Sequence, residues 1–162
     1  MIVVSDTTPL IGLASIGRFD LLQKLFGELY IPEAVYNESV VAGRNEGGAK
    51  REVSQARWIK VKRVKDRLAV ELLLDELDEG EAEAIVLARE LKAEWVLMDE
   101  KKGRRKLRML GMQKIGTIGI LLKAKEMGYI ETIRSDLEKL RSKGFSISQR
   151  VVDVVLERAG EL

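Results

Sequence analysis

Short apolar segments bounded by charged residues alternate along this chain with longer segments of helical periodicity. Trp95–Met98 is an apolar run of this kind, as is Ile2–Val4 near the N-terminus. Such runs are typical of central strands in a parallel sheet that helices cover on both faces. Leu29–Ile31 and Gln113–Ile115 predict two more strands, and the alternating segment Trp58–Val64 predicts a strand at the sheet edge.

Amphipathic segments between these strands predict helices. Thr8 is expected to cap the first helix, because Pro9 suits a first helical position. Asp78–Gly80 is expected to end one helix before the next helix begins, and Gly43–Gly48 is expected to form a loop. Strands that alternate with helices indicate one α/β domain over residues 1–162, with a parallel sheet. The predicted helices are Pro9–Ile16, Phe19–Phe26, Pro32–Ala42, Lys50–Arg57, Leu68–Leu77, Glu81–Lys92, Ile118–Met127, Glu131–Arg141 and Gln149–Ala159.

The composition narrows the chemistry that the chain can perform. None of its 162 residues is cysteine or histidine, which excludes disulfides, thiol catalysis, triads that need histidine and the usual zinc sites. Hydrolysis would have to rely on carboxylates, hydroxyls, lysine or a metal held by oxygen. We find no apolar run near the ~20 residues of a membrane span and no export signal, so we expect a cytoplasmic protein. The net charge of +2 is too small to establish a nucleic-acid partner.

Two aspartates stand where the predicted central strands end. Asp6 follows Ile2–Val4 after one serine, and Asp99 follows Trp95–Met98 directly. Ligands of open parallel sheets bind outside the carboxyl ends of the strands, so we expect both aspartates at the same functional edge. Each aspartate also has a structural interpretation, Asp6 as a turn residue and Asp99 as a helix cap.

Two glutamates interrupt the apolar sides of predicted helices. Glu38 is in line with Val35 and Ala42, at spacings of three and four residues. Glu81 lies on the apolar side of its helix and is expected to point inward, whereas Glu83 lies on a mixed side and is the weaker candidate. A buried ion pair would also explain Glu38, and the helix dipole would also explain Glu81.

Asp6, Glu38, Glu81 and Asp99 together predict a metal site. Gathering uncompensated like charges is costly or forces protonation. A hard divalent cation such as Mg²⁺ is the usual remedy, and it is typically held by a few carboxylates. Such a cation can activate water and stabilise the charge that develops on a phosphodiester. The four carboxylates therefore indicate a hydrolase that needs neither histidine nor cysteine.

A basic run, Lys101–Arg108, follows Asp99 closely. Arg104 and Arg105 are candidate phosphate contacts, although a solvated helix face is the commoner fate of such a run. No aromatic residue is interleaved with these charges, so the run does not indicate base stacking. Thr117 is a further candidate hydroxyl for the site, and it also has a capping role.

Five segments together resemble the motifs of PIN-domain nucleases, and in particular the branch related to VapC toxins. They read IVVSDTTPL from residue 2, IPEAVYNE from residue 31, GEAEAI from residue 80, VLMDEKKGR from residue 96 and GTIGILL from residue 116. The resemblance covers nearly the whole chain. It implies a three-layer α/β/α sandwich with a short parallel sheet, an Mg²⁺ or Mn²⁺ site at Asp6, Glu38, Glu81 and Asp99, and cleavage of single-stranded RNA. Such proteins are often dimers, and toxin members pair with a small antitoxin.

The chain departs from the VapC pattern in two places. The third acidic position, often aspartate in those toxins, is Glu81, with Glu83 as its rival. The fourth motif continues into an unusually basic run after Asp99. Two alternatives to a nuclease also remain: a PIN-like module that binds RNA or protein without cutting, and a phosphatase with an aspartate nucleophile. The phosphatase is disfavoured because Thr8 stands where a second aspartate is required.

Overall fold

The computed structural model describes residues 1–41 and 49–162. Its centre is a five-stranded sheet in which every strand is parallel to its neighbours, with the spatial order β3-β2-β1-β4-β5. The predicted parallel α/β sheet and the edge position of the third strand are confirmed. The strands are β1 (Val3–Ser5), β2 (Leu29–Pro32), β3 (Ile59–Lys62), β4 (Trp95–Leu97) and β5 (Gln113–Ile115).

Helices cover both faces of this sheet. In β1, Val3 packs into the core on one face and Val4 into the core on the other, because successive side chains of a strand alternate in direction. The helices are α1 (Thr7–Ser15), α2 (Asp20–Phe26), α3 (Glu33–Tyr36), α4 (Lys50–Gln55), α5 (Arg67–Leu73), α6 (Glu79–Leu91), α7 (Lys101–Met109), α8 (Thr117–Glu126), α9 (Arg134–Ser142) and α10 (Gln149–Arg158). The layer around Val3 includes α1, α2, α8, α9 and α10, and the layer around Val4 includes α5, α6 and α7. The predicted three-layer sandwich is confirmed.

Strands β1 and β4 are neighbours, and their register brings the two predicted strand ends together. Ser5 is paired with Leu97, and the Asp6 N–H donates to the Leu97 carbonyl at 3.0 Å. The Met98 N–H in turn donates to the Ile115 carbonyl of β5 at 3.0 Å. The residues after β1 and β4 therefore leave the sheet side by side at its carboxyl edge.

Several predicted helix ends were wrong, each for a local reason. Helix α1 begins at Thr7 with Asp6 in the cap position, so Thr8 is not the cap. Helix α6 begins at Glu79, because the carboxylate of Asp78 caps it and Gly80 lies within its first turn. Among the other helices, α5 ends at Leu73 rather than Leu77, and α9 begins at Arg134 rather than Glu131.

The predicted helix Pro32–Ala42 is in fact two segments. Helix α3 ends at Tyr36, and Asn37–Val41 forms a π-helical turn that carries Glu38. Ala42 and the predicted loop Gly43–Gly48 lie outside the described residues. Across the part of the chain that the structure describes, none of the helices combines the length and the apolar character needed to cross a membrane.

Candidate active site

Asp6 is a buried carboxyl group at the carboxyl edge of the sheet. Its side chain follows β1 directly, and the residue is 3% exposed. Burial raises the pKa of Asp6 to about 8, although a hydrogen bond from the Thr7 N–H opposes the rise. The negative charges of Glu81, Asp78 and Glu38 raise this pKa further. Asp6 is therefore the most buried of several acids that share one electrostatic environment.

Glu38 reaches the same environment from the π-helical turn. Its carboxylate lies over Gly80 of α6, where a Cβ atom would overlap the carboxylate oxygens. The Thr7 hydroxyl donates to Oε2 of Glu38 at 3.1 Å. Burial raises the pKa of Glu38 to about 7, and the charge of Asp78 adds to the rise. The absence of a side chain at Gly80 is what lets Glu38 lie beside the start of α6.

Glu81 is half-buried and takes part in the cap of α6. Its carboxylate accepts a hydrogen bond from the Asp78 N–H at 2.9 Å, and Asp78 accepts one from the Glu81 N–H at 2.8 Å. Burial is the main cause that raises the pKa of Glu81. Asp78 is a further member of this acidic group that was not predicted from the sequence. Its spacing of three residues from Glu81 is that of a capping box, and this spacing could have placed the two acids side by side.

Helical periodicity predicted that Glu83 lies on a side of its helix with both polar and apolar residues. This prediction was wrong, because Glu83 is buried. The residue is 4% exposed, and its carboxylate accepts hydrogen bonds from the Ala34 N–H at 3.0 Å and from Arg67 at 2.7 Å. Helix α3 packs across α6, so α6 is buried around most of its circumference from Gly80 to Ala88. Glu83 is thus neutralised by an arginine and joins α6 to α3 and α5.

Asp99 follows β4 and is held by the start of α8. The Thr117 N–H donates to Oδ1 at 2.8 Å, and the Thr117 hydroxyl donates to Oδ2 at 2.6 Å. Thr117 is 1% exposed, so its hydroxyl is directed to Asp99. A Cβ atom on Gly116 would come within 2.7 Å of Asp99 Oδ1, which explains why a glycine precedes Thr117.

Within the part of the chain that the structure describes, the four candidate acids differ from two other buried carboxylates in that they form no ion pair. Glu83 is paired with Arg67, and Asp136 with Arg18. Among residues 1–41 and 49–162, no ion pair involves any of the four candidates, which are Asp6, Glu38, Glu81 and Asp99.

This donor set suits a hard divalent cation, because all its ligand atoms are oxygens and its charge is uncompensated. The side chains do not yet form a complete coordination shell. Within the described ranges, no three acidic side chains are close enough to hold one ion together. The four candidates instead accept hydrogen bonds from Thr7, Asp78 and Thr117. Holding one ion with three of these carboxylates would therefore require some of the side chains to rotate.

Two of the four acids line a groove of about 900 Å³. Glu81 and Asp99 line one part of it, together with the cationic side chains of Lys101, Arg104 and Lys114. Arg104 also donates to the Met98 carbonyl at 3.0 Å, which fixes its guanidinium next to the end of β4. The two arginines predicted to contact phosphate differ in position. Arg104 lines the groove, whereas Arg105 is exposed and is not among the groove residues.

Comparison with known proteins identifies the family of this chain. No curated protein matches it. A family model described as a PIN domain matches residues 2–161, which is nearly the whole chain. PIN domains are generally nucleases, and the parallel sheet with acids at its carboxyl edge agrees with this assignment. The chain therefore belongs to the PIN-domain family.

Proposed function

We propose that this PIN domain is a metal-dependent endoribonuclease that hydrolyses phosphodiester bonds in single-stranded RNA. The observation that carries the proposal is a group of acids at the carboxyl edge of the sheet that form no ion pair within the described residues, two of which line a groove together with lysine and arginine side chains. An acid group of this kind repels a phosphodiester unless a cation lies between them. The basic side chains of the groove, in contrast, attract the phosphodiester.

Asp6, Glu38, Glu81 and Asp99 would hold Mg²⁺ or Mn²⁺. When bound, such a cation supplies an activated water and stabilises the negative charge that develops on the phosphodiester. Asp6 and Asp99 are the principal ligands in this proposal, since they follow rigid neighbouring strands. Glu38 and Glu81 complete the site from flanking elements.

The chain's own residues prepare these ligands. Burial and neighbouring charges favour the protonated form of Asp6, so it must lose its proton before it can serve as a ligand. Thr117 fixes the orientation of Asp99, and Thr7 does the same for Glu38. Arg104, with its guanidinium already fixed at the groove, would hold a phosphate, and Arg105 would contact the strand farther from the acids.

Assays of cleavage test this proposal. Wild type, Asp6→Asn and Asp99→Asn are incubated with single-stranded RNA and DNA in Mg²⁺, Mn²⁺ or EDTA. Asp75→Asn, which changes an exposed carboxylate that is not among the four acids, is the matched control. We expect cleavage of RNA by wild type and the control, and loss of cleavage in EDTA and in both folded site variants. Cleavage that survives in Asp6→Asn and Asp99→Asn would refute the assignment of this site.

A PIN module that binds RNA or protein without cutting it is the second candidate. It is favoured by one observation: no three acids in the described ranges are close enough to share a metal ion. A folded, metal-loaded protein that binds a broad panel of RNAs and cleaves none would support this alternative.

The resemblance to the branch related to VapC toxins suggests two further proposals. The first is a VapC-like toxin with a small antitoxin, which would stop growth when expressed without its partner. The second is a homodimer formed partly through α10, where Val151 and Val154 are 41% and 56% exposed. A monomer in light scattering across micromolar concentrations would contradict the dimer.

A further inference from the structure

The lining of the groove includes apolar side chains as well as charged ones. The apolar side chains include Ile118 of α8, Val151 of α10 and the loop residues Phe145 and Ile147. Lys114 and the basic start of α7 belong to the same groove. A groove that combines cationic and apolar linings is complementary to a strand with charged phosphates and uncharged, unpaired bases.

Phe145 is the aromatic side chain among these groove residues, and the backbone around it is well fixed. Its N–H donates to the Leu140 carbonyl at 3.0 Å, and Arg141 donates to the Ile147 carbonyl at 3.0 Å. Gly144 has a φ of +99°, a value that glycine adopts easily. This conformation turns the chain after α9 so that it enters the groove.

The ring of Phe145 packs over Gly12 of α1. A Cβ atom on Gly12 would lie 2.6 Å from Cζ of the ring, so that glycine makes the space that the ring occupies. Phe145 is nevertheless half-buried rather than fully buried, and it lines the groove. A ring that is fixed in this way loses little conformational freedom when a ligand covers its remaining surface.

We propose that Phe145 binds an unpaired nucleobase of the substrate by stacking, while the cationic side chains contact the phosphates. This inference rests on the proposed function and adds a residue to it. Stacking of a base on an aromatic ring is tolerant of sequence, because every base presents a flat face. It requires the base to be unpaired, so it favours a single strand over a duplex.

Binding to two matched strands tests this inference. One strand carries bases, and the other is abasic with the same number of phosphates. Dissociation constants are measured for Phe145→Leu and for Tyr129→Leu, which changes an exposed aromatic residue that is not among the groove residues. Leucine keeps an apolar side chain over Gly12. All proteins also carry Asp6→Asn, so that the strand is not consumed, and thermal melting confirms that each is folded.

We expect Phe145→Leu to weaken binding of the strand with bases by about five-fold or more, and to leave binding of the abasic strand unchanged. The control should bind both strands as its parent does. Equal effects of Phe145→Leu on both strands, an effect on neither, or failure of the parent to bind the strand with bases would overturn the inference.

The outcomes also separate this inference from the proposed function. If wild type cleaves RNA but Phe145→Leu shows no loss that depends on bases, the nuclease stands and the stacking residue is wrong. If binding depends on Phe145 and on bases but wild type cleaves no RNA, the stacking residue stands and the nuclease is wrong.

Discussion

Replacing Asp6 by asparagine should remove a pH dependence from the stability of the metal-free protein. Asparagine has nearly the same shape but carries no proton that titrates. In the folded wild type, the pKa of Asp6 is raised from 3.8 to about 8, mainly by burial. Between pH 3.8 and about pH 8, Asp6 therefore keeps its proton in the folded chain, whereas the unfolded chain has released it.

The sign and size of the effect follow from proton linkage. The folded state binds more protons than the unfolded state between pH 3.8 and about pH 8. The stabilising contribution is complete below this range and is lost as the pH rises through it. Each pH unit costs about 1.4 kcal/mol, so wild type should lose about 3 kcal/mol between about pH 5.5 and about pH 7.5. Glu38 adds a smaller loss, because its pKa is raised to about 7 and it is more open to solvent.

Urea unfolding in EDTA at several pH values measures this difference. Asp6→Asn should show a much flatter dependence of the free energy of unfolding on pH, and should exceed wild type in stability near neutral pH. Asp75→Asn, which changes an exposed carboxylate, should follow wild type. Parallel curves for wild type and Asp6→Asn would refute the claim that burial raises the pKa of Asp6 in the folded protein.

Two other substitutions test the geometry of the site. Gly80→Ala should displace the carboxylate of Glu38, since the added Cβ atom overlaps it, and should therefore reduce the rise in melting temperature that we expect from Mg²⁺ in wild type; an unchanged rise would show that Glu38 does not contribute to metal binding. Arg104→Ala should weaken RNA binding across sequences and reduce its salt slope by about one, whereas Arg105→Ala, outside the groove, should have the smaller effect. Equal losses in the two arginine variants, measured over a salt series, would contradict the assignment of Arg104 to the groove.

The strands of the sheet, and the two aspartates that follow its central strands, can be predicted from local patterns in the chain. Short apolar runs can be recognised locally, because a strand buried on both faces needs apolar residues at consecutive positions. Asp6 and Asp99 were therefore assigned to strand ends before any packing was known, and the register of β1 against β4 places the residues after both strands at one edge. Their roles as metal ligands remain predictions.

Helical periodicity alone was less informative about the glutamates. It identified Glu38 as an interruption of an apolar stripe, but not the π-helical turn that carries it. It placed Glu83 on a mixed side, although α3 covers that side of α6 and Arg67 neutralises the buried charge. The periodicity of a helix depends only on its own residues, so it does not show which other helix will pack against it.

The composition of the groove was decided by tertiary structure. The basic run after Asp99 contains no aromatic residue, so the sequence did not indicate base stacking. Phe145, which lies about forty positions later in the chain, lines the same groove as Asp99 and Arg104. Residues of α9 and α10 share one apolar core with residues of α1, and Gly12 of α1 provides the space for the Phe145 ring. Local sequence determined which residues end the strands, because neighbouring residues determine strand formation, whereas the residues that face those ends depend on contacts between distant segments.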